Sequence, residues 1–158
     1  MREVYTDGAC RGNPGPGGWA WAVPHGPQAA GADPATTNQR MEVRAALEAV
    51  RALDGPLVVV SDSTYVVNCF RNRWWKGWHA RGWINSQKRP VANRDLWEPL
   101  VEVIEQRVIG KRLRLEKRFE MVRGFVAGGE RVGEEADELL FVAAPAVTFN
   151  DGGLDRLD

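Results

Sequence analysis

Apolar and polar residues alternate along the first part of the chain, as is typical of β-strands. Residues 3–6 and 18–24 predict two strands paired through the glycine-rich stretch between them, and residues 27–33 predict a short third strand. Residues 57–61 form an apolar run rich in β-branched residues, which is typical of a central strand covered on both faces. Apolar and charged residues alternate again over residues 112–122, which predicts a further strand.

Other segments repeat their apolar residues at helical spacing. They predict helices over residues 38–53, 64–70, 94–106 and 133–144, the first of which is stopped at Gly55 and Pro56. Strands first, then strands and helices in alternation, indicate an α/β fold with helices on the faces of a mixed sheet. Because there is no internal repeat or linker, residues 1–145 are predicted to form one domain and the glycine- and aspartate-rich residues 146–158 a mobile tail.

The composition narrows the class of protein. A chain of 158 residues, 44% of them hydrophobic, can bury the core of one globular domain. Its apolar runs are too short to span a membrane, and its first residues lack the apolar stretch of a signal peptide. Cys10 and Cys69 form no CxxC pair, which argues against a zinc site and for a reducing, cytoplasmic setting.

Charge is unevenly distributed although it sums to zero. Lys+Arg and Asp+Glu both total 21, so the net charge indicates no partner. Residues 71–94 nevertheless contain seven Lys or Arg and no acid, interleaved with tryptophans. Lys and Arg in such a cluster suit nucleic-acid phosphates. Trp74 and Trp78, four positions apart, are more often packing partners than nucleic-acid contacts, but the two roles are compatible.

Four acids stand where acids are unusual. Asp7 opens the glycine turn, Asp62 directly follows the run 57–61, and Glu42 and Asp137 lie on the apolar faces of predicted helices. Each alone is explained as a turn, cap or ion-pair residue. Clustered together, they would raise one another's pKa unless a divalent cation supplied the counter-charge. Oxygen-only ligands favour Mg²⁺ or Mn²⁺, and two such ions about 3.5–4 Å apart are a known device for phosphodiester hydrolysis.

The motifs around these acids resemble those of type 1 ribonuclease H in its bacterial-like form. The matching segments are residues 6–18 (TDGACRGNPGPGG), 37–42, 61–63 and 136–139, in the family's order, together with the Trp-rich segment and residues 93–97. The resemblance covers about residues 1–144. It implies a ribonuclease H-like fold, a five-stranded mixed sheet flanked by helices on both faces. It also implies cleavage of the RNA strand of RNA–DNA hybrids, leaving 5′-phosphate and 3′-hydroxyl ends.

The resemblance further implies roles for individual residues. The four acids would be catalytic and would bind two Mg²⁺ ions, with Mn²⁺ as the alternative: Asp7, Glu42, Asp62 and Asp137. The RNA strand would be contacted by Cys10, Asn13, Asn38, Gln39 and Thr64. Polar groups and backbone amides at that turn can recognise the 2′-hydroxyl, which distinguishes RNA from DNA.

The DNA strand would be held by a separate set of residues. Thr37 and Asn93 match a phosphate pocket, in which Ala35 stands where some relatives have an arginine, and Tyr65 and Trp78 match the aromatic floor of a channel. A protruding basic handle would grip the hybrid through Arg71, Arg73, Lys76, Arg81, Lys88 and Arg89. The chain is expected to act as a monomer without an obligate protein partner.

Two other functions remain open from the sequence. One is a hybrid-binding module with weak or no cleavage, because the family's loop histidine is replaced by Phe125. All four acids are present, which argues against a binding module, because binding alone does not require them. The other is the same fold acting on a different substrate, as in integrases or junction resolvases, which the basic handle and the glycine turn argue against.

Phe125 provides a test of proton handling. The family's histidine is thought to shuttle a proton or to help expel product, and phenylalanine can do neither. We therefore expect slower hydrolysis or greater reliance on Mn²⁺, and Phe125→His should raise the rate of RNA-strand cleavage, since general acid–base assistance is worth about 10²–10⁴-fold. Steady-state cleavage of labelled hybrid measures it. An unchanged rate would mean that proton transfer or product release in this chain does not depend on a histidine in this loop.

Overall fold

The computed structural model describes the backbone of residues 2–109, 131–132 and 139–143, and the side chains of residues 2–107. The strands are β1 (Arg2–Cys10), β2 (Gly15–Ala22), β3 (Gln28–Thr36), β4 (Leu57–Ser61), β5 (Arg131–Val132) and β6 (Leu139–Ala143). The helices are α1 (Asn38–Ala52), α2 (Thr64–Arg71), α3 (Trp74–Ala80) and α4 (Arg94–Ile109). None of these helices is both long and apolar enough to cross a membrane.

The strands form one mixed sheet with the order β3-β2-β1-β4-β6-β5. β1, β2 and β3 pair antiparallel, whereas β1 with β4 and β4 with β6 pair parallel. β1 to β4 therefore form a mixed sheet with helices packed on it, as predicted, and the α/β fold class is confirmed. β5 adds a two-residue antiparallel edge to β6.

Helix α1 packs on β1 and β2, and α4 packs against α1. Val4 and Thr6 of β1 are buried on the side that faces α1, whereas Tyr5 points to the opposite side and is 44% exposed. Small buried residues on α1, including Ala45 and Ala46, allow the helix to lie close to the sheet. The core is therefore centred between α1, α4 and the sheet.

Both ends of α1 are fixed by side chains. Thr37 caps the first turn, because its hydroxyl accepts the backbone N–H of Arg40. At the other end, the Arg107 guanidinium of α4 donates to the carbonyl oxygens of Val50, Leu53 and Gly55. A cation at the carboxyl end of a helix satisfies otherwise unpaired carbonyls and interacts favourably with the helix dipole. The cap therefore stabilises the first turn of α1, and Arg107 ties the carboxyl end of the helix to α4.

Two sequence-based expectations differ from the structure. β1 does not end before Asp7 but continues to Cys10, because residues 7–10 pair with residues 17–20 of β2. The helix predicted over residues 133–144 is wrong at residues 139–143, which form β6 and pair with β4. A short apolar run fits a buried strand and a buried helix equally well by periodicity, and pairing decides between them. The predicted strand at 112–122, the domain end at 145 and the tail lie outside the described residues.

Candidate active site

Three of the predicted acids meet at one edge of the sheet. Asp7 lies in β1, Asp62 directly follows β4, and Glu42 lies near the start of α1. Thr6 and Ser61 are partners in the parallel register of β1 and β4, so the two aspartates occupy neighbouring positions. One carboxylate oxygen of each acid lies within 4.8 Å of those of the other two. The structure thus brings together three acids that are far apart in the sequence.

Glu42 reaches the aspartates because α1 lies directly on β1 at Gly8. A Cβ atom added at Gly8 would lie 2.3 Å from the backbone nitrogen of Glu42 and 2.3 Å from the carbonyl carbon of Met41. Any side chain there would push the helix away from the strand. The Gly8 backbone also lowers the pKa of the Glu42 carboxyl group, against the larger opposing effect of burial. Gly8 therefore sets the position of both the helix and the acid.

The Glu42 carboxyl group lies in an unfavourable environment for a charge. Burial, reinforced by the negative charges of Asp62 and Asp7, raises the pKa of Glu42 from 4.5 to about 8. Its Oε2 atom is buried and has no hydrogen-bond partner among the described residues. A cation would satisfy this oxygen and neutralise the three acids. Because all the donors are carboxylate oxygens, the residues fit Mg²⁺ or Mn²⁺.

Asp62 lies in a short connection that two serines hold in place. The Ser61 hydroxyl accepts the N–H of Ser63 at 3.2 Å, and the Ser63 hydroxyl accepts the N–H of Val66 at 3.3 Å, which caps α2. The fourth predicted acid, Asp137, lies outside the described residues and stays a prediction.

The turn between β1 and β2 is tied to the start of α1. The N–H of Asn38 donates to Oδ1 of Asn13 at 3.0 Å. The Cys10 Sγ atom lies 3.3 Å from the carbonyl oxygen of Gly15 and 3.2 Å from that of Thr36. The residues predicted to contact RNA at this turn therefore belong to one connected unit.

Gln39 and Thr64, the other predicted RNA contacts, are exposed in the first turns of α1 and α2. Thr64 follows Asp62 by two positions, and Gln39 precedes Glu42 by three positions on the same helix. Both side chains therefore flank the cluster of acids and are open to solvent.

Asn93 and Tyr65 belong to one hydrogen-bond network. Asn93 Nδ2 donates to the Tyr65 hydroxyl at 3.2 Å, and Trp97 Nε1 donates to the same hydroxyl at 2.9 Å. Asn93 Oδ1 accepts from Arg40 Nη1 at 3.3 Å, while the backbone N–H of Arg40 donates to Thr37. The two residues predicted for a phosphate pocket, Thr37 and Asn93, therefore both contact Arg40.

Trp78 is packed among other aromatic rings. Its ring centroid lies 5.8 Å from that of Trp97, 6.4 Å from that of Trp83 and 6.2 Å from that of Trp74. Trp78 is half-buried and Trp74 is 36% exposed. The structure thus gives Trp78 a packing role and leaves part of its ring accessible.

The predicted basic handle runs from the end of α2 through α3 to the segment that follows it. The segment folds back on α3, because the N–H of Trp83 donates to the carbonyl of Trp78 at 2.7 Å and Ile84 pairs with Pro90. Five of its six predicted basic residues are exposed and Lys76 is half-buried: Arg71, Arg73, Lys76, Arg81, Lys88 and Arg89. The positive charges therefore stand on a folded surface segment.

Sequence reasoning missed Arg40 as a site residue. Its Nη1 and Nη2 atoms donate to the two carboxylate oxygens of Asp95 at 2.9 and 2.6 Å. Asp95 lies in the first turn of α4, which the sequence predicted, but no local pattern reveals a contact between residues 55 positions apart.

A family model described as RNase H matches residues 2–139. The chain therefore belongs to the ribonuclease H family, and its membership confirms the resemblance to type 1 ribonuclease H and the prediction of a nuclease. The structure is similar to the crystal structure of LC9-RNase H1, a type 1 RNase H with the type 2 active-site motif, with 33% identity and a TM-score of 0.54. That match covers 65% of this chain and 57% of the other.

Relatives named Ribonuclease H are more similar in sequence. The one from Symbiobacterium thermophilum is 54% identical over 109 residues, which are 65% of this chain and 74% of the relative. The one from Syntrophomonas wolfei is 43% identical over 147 residues, which are 88% of this chain and 94% of the relative. LC11-RNase H1, solved in complex with an RNA/DNA hybrid, shares the fold at 19% identity and a TM-score of 0.53, over 92% of this chain and 86% of that one.

The pKa of Glu42 predicts how the metal-free protein responds to pH. Its pKa of about 8 in the folded state exceeds its ordinary value of 4.5, so between these pH values the folded state holds a proton that the unfolded state has released. Stability should therefore fall as the pH rises from 4.5 to 8. Glu42→Gln removes this term, so its stability relative to the wild type should increase with pH, as measured by urea unfolding in a chelator.

Glu48→Gln is the matched control, because Glu48 lies on the same helix and is paired with Arg44 outside the acid cluster. Its stability relative to the wild type should not follow the trend of Glu42→Gln. If the difference between Glu42→Gln and the wild type stayed constant from pH 4.5 to 8, the environment inferred for Glu42 would be wrong.

Proposed function

We propose that this chain is an endonuclease that hydrolyses the RNA strand of RNA–DNA hybrids and leaves 5′-phosphate and 3′-hydroxyl ends. The observation that carries the proposal is the convergence of Asp7, Glu42 and Asp62 beside a turn that is suited to RNA recognition. The relatives named Ribonuclease H support it. So does the shared fold of LC11-RNase H1, which was solved with an RNA/DNA hybrid.

The three acids, with Asp137 as a fourth ligand, would hold two Mg²⁺ ions, with Mn²⁺ as the alternative. When bound, such ions activate a water for attack on phosphorus and stabilise the leaving oxygen. Asp7 would be a central ligand of these ions, because its strand β1 both pairs with β4, which leads to Asp62, and carries the glycine against which α1 places Glu42. The close contact of α1 with Gly8 places Glu42 beside the two aspartates, and its Oε2 atom has no hydrogen-bond partner among the described residues.

Recognition of the RNA strand would use the turn between β1 and β2. Asn13 accepts the N–H of Asn38 with its carbonyl oxygen, so its NH₂ group points away from that bond and can donate to a 2′-hydroxyl. Cys10 contributes the adjoining surface of the turn, and the exposed Gln39 and Thr64 flank it. Because DNA lacks the 2′-hydroxyl, these contacts would favour RNA on this side of the site.

The DNA strand would be bound by Thr37, Asn93, Tyr65 and the accessible part of Trp78. The exposed basic residues of the handle would add contacts to phosphates. Each phosphate neutralised releases counterions, so hybrid affinity should fall steeply with salt concentration. We further propose that the protein acts as a monomer in the cytoplasm, without an obligate protein partner.

Cleavage of a hybrid with a labelled RNA strand tests the proposed function. In Mg²⁺ or Mn²⁺ we expect cuts within the RNA strand that leave 3′-hydroxyl ends, and no cleavage of the DNA strand. Asp7→Asn should abolish cleavage, because it removes a carboxylate ligand from the proposed metal site. Arg44→Met, which changes an ion-paired residue on α1, is the matched control and should retain cleavage.

The other functions predict different results in the same assay. A hybrid-binding module would bind the hybrid in both metals and cut neither strand. A nuclease acting on another substrate would cut duplex DNA without RNA. Either result would overturn the proposed function.

A further inference from the structure

Arg40 joins the two polar residues of the proposed phosphate pocket. Its backbone N–H donates to the Thr37 hydroxyl at 3.3 Å, and its guanidinium donates to Asn93 Oδ1 at 3.3 Å. Two further guanidinium bonds, at 2.9 and 2.6 Å, clamp it to Asp95. A guanidinium that is held bidentately by a carboxylate has a fixed plane, so its remaining contact with Asn93 has a defined direction.

The chemistry of Arg40 determines which way the Asn93 amide faces. A guanidinium has only donors, so the side of the amide that meets it must be the carbonyl oxygen. The NH₂ group of Asn93 therefore faces the other way, where one of its hydrogens reaches the Tyr65 hydroxyl at 3.2 Å. Its second hydrogen has no acceptor among the described residues, so it is left to donate to a ligand.

The Tyr65 hydroxyl reinforces this arrangement. It already accepts the Trp97 Nε1–H at 2.9 Å, and Trp97 is fully buried, so the indole cannot move to offer another partner. A hydroxyl that accepts from both Trp97 and Asn93 must direct its own proton away from these two donors. The Thr37 hydroxyl behaves in the same way. Its oxygen accepts the N–H of Arg40, so its own proton remains available to donate.

We propose that Arg40 is a positioning residue that orients the Asn93 amide, so that its N–H, together with the Thr37 hydroxyl, is presented to a phosphate of the bound nucleic acid. Arg40 acts in this proposal through Asn93 and not by binding the phosphate itself, and three of its five N–H donors, both on Nη1 and one on Nη2, are engaged by Asn93 and Asp95. Asp95 also neutralises the charge of Arg40, so the pocket recognises phosphate through oriented neutral donors. This inference rests on the proposed function.

A double-mutant cycle on hybrid affinity tests the inference. Asn93→Gly removes the amide and suits the backbone, because Asn93 has a φ of 59°, a conformation that glycine adopts readily. Arg40→Met removes the guanidinium and keeps the length of the side chain. In a chelator, which prevents cleavage, each single variant should bind a labelled hybrid about tenfold more weakly. The double variant should be no weaker than Asn93→Gly alone.

Arg44→Met removes the same charge from the same helix without touching Asn93, so its affinity should change less than twofold. Additive losses in the double variant, or an equal loss in Arg44→Met, would overturn the inference, because either would mean that Arg40 acts directly or through its charge. Failure of the wild type to bind the hybrid would overturn the proposed function instead.

Two further measurements separate positioning from a purely structural effect. In cleavage assays Arg40→Met should raise KM and leave kcat nearly unchanged, and Arg40→Lys, which keeps a charged donor, should recover part of the loss. In the free wild-type protein, NMR should detect contacts between the Asn93 NH₂ group and the Tyr65 ring. They should disappear in Arg40→Met and persist in Arg44→Met. If these contacts were unchanged in both Arg40 variants, the orientation would not depend on Arg40.

Discussion

The close approach of helix α1 to strand β1 at Gly8 is the constraint on which the site depends. The backbone of Met41 and Glu42 lies against this glycine with no room for a Cβ atom. A separation larger by one methyl group would withdraw Glu42 from Asp7 and Asp62. The small buried residues of α1 permit this distance, and Arg107 ties the carboxyl end of the helix to α4.

The close contact between α1 and β1 also places the Glu42 carboxyl group in an environment that is unfavourable for its charge in the metal-free protein. Glu42 is partly removed from water beside two negative charges, and one of its oxygens has no partner among the described residues. Such an arrangement lowers the stability of the metal-free fold, and a divalent cation offsets that loss. Active sites are often the places where stability is reduced for function. This explains why an acid, Glu42, stands at a half-buried position of α1 that a stable core would fill with an apolar residue.

The sequence predicted the parts of the molecule that are governed by local pattern. The 3.6-residue period gave α1 within a residue of its observed end, and the apolar run gave β4 at its observed bounds. Strand pairing between residues that are distant in the sequence was harder to predict. Asp7 lies inside β1 because β2 extends the ladder to Cys10, and residues 139–143 form a strand because β4 accepts them. Neither partner is visible in the local sequence.

The candidate site shows the same division. Asp7, Glu42 and Asp62 were predicted as site residues because acids are unusual at their positions in the sequence pattern. The structure brings these three acids together. The network of Arg40, Asn93 and Asp95 depends on side-chain directions on two helices, which no sequence period encodes. Oriented donors of this kind can be recognised only once the packing of α1 against α4 is known.

Binding of Mn²⁺ to the wild type, Glu42→Gln and Glu48→Gln, measured by calorimetry at neutral pH, tests most directly whether these acids form a cation site. The wild type and Glu48→Gln should bind with equal affinity and should release protons, because the raised pKa of Glu42 leaves it largely protonated before the ion arrives. Glu42→Gln should bind at least about tenfold more weakly and release fewer protons. Equal binding by all three proteins, or no binding by the wild type, would contradict the account.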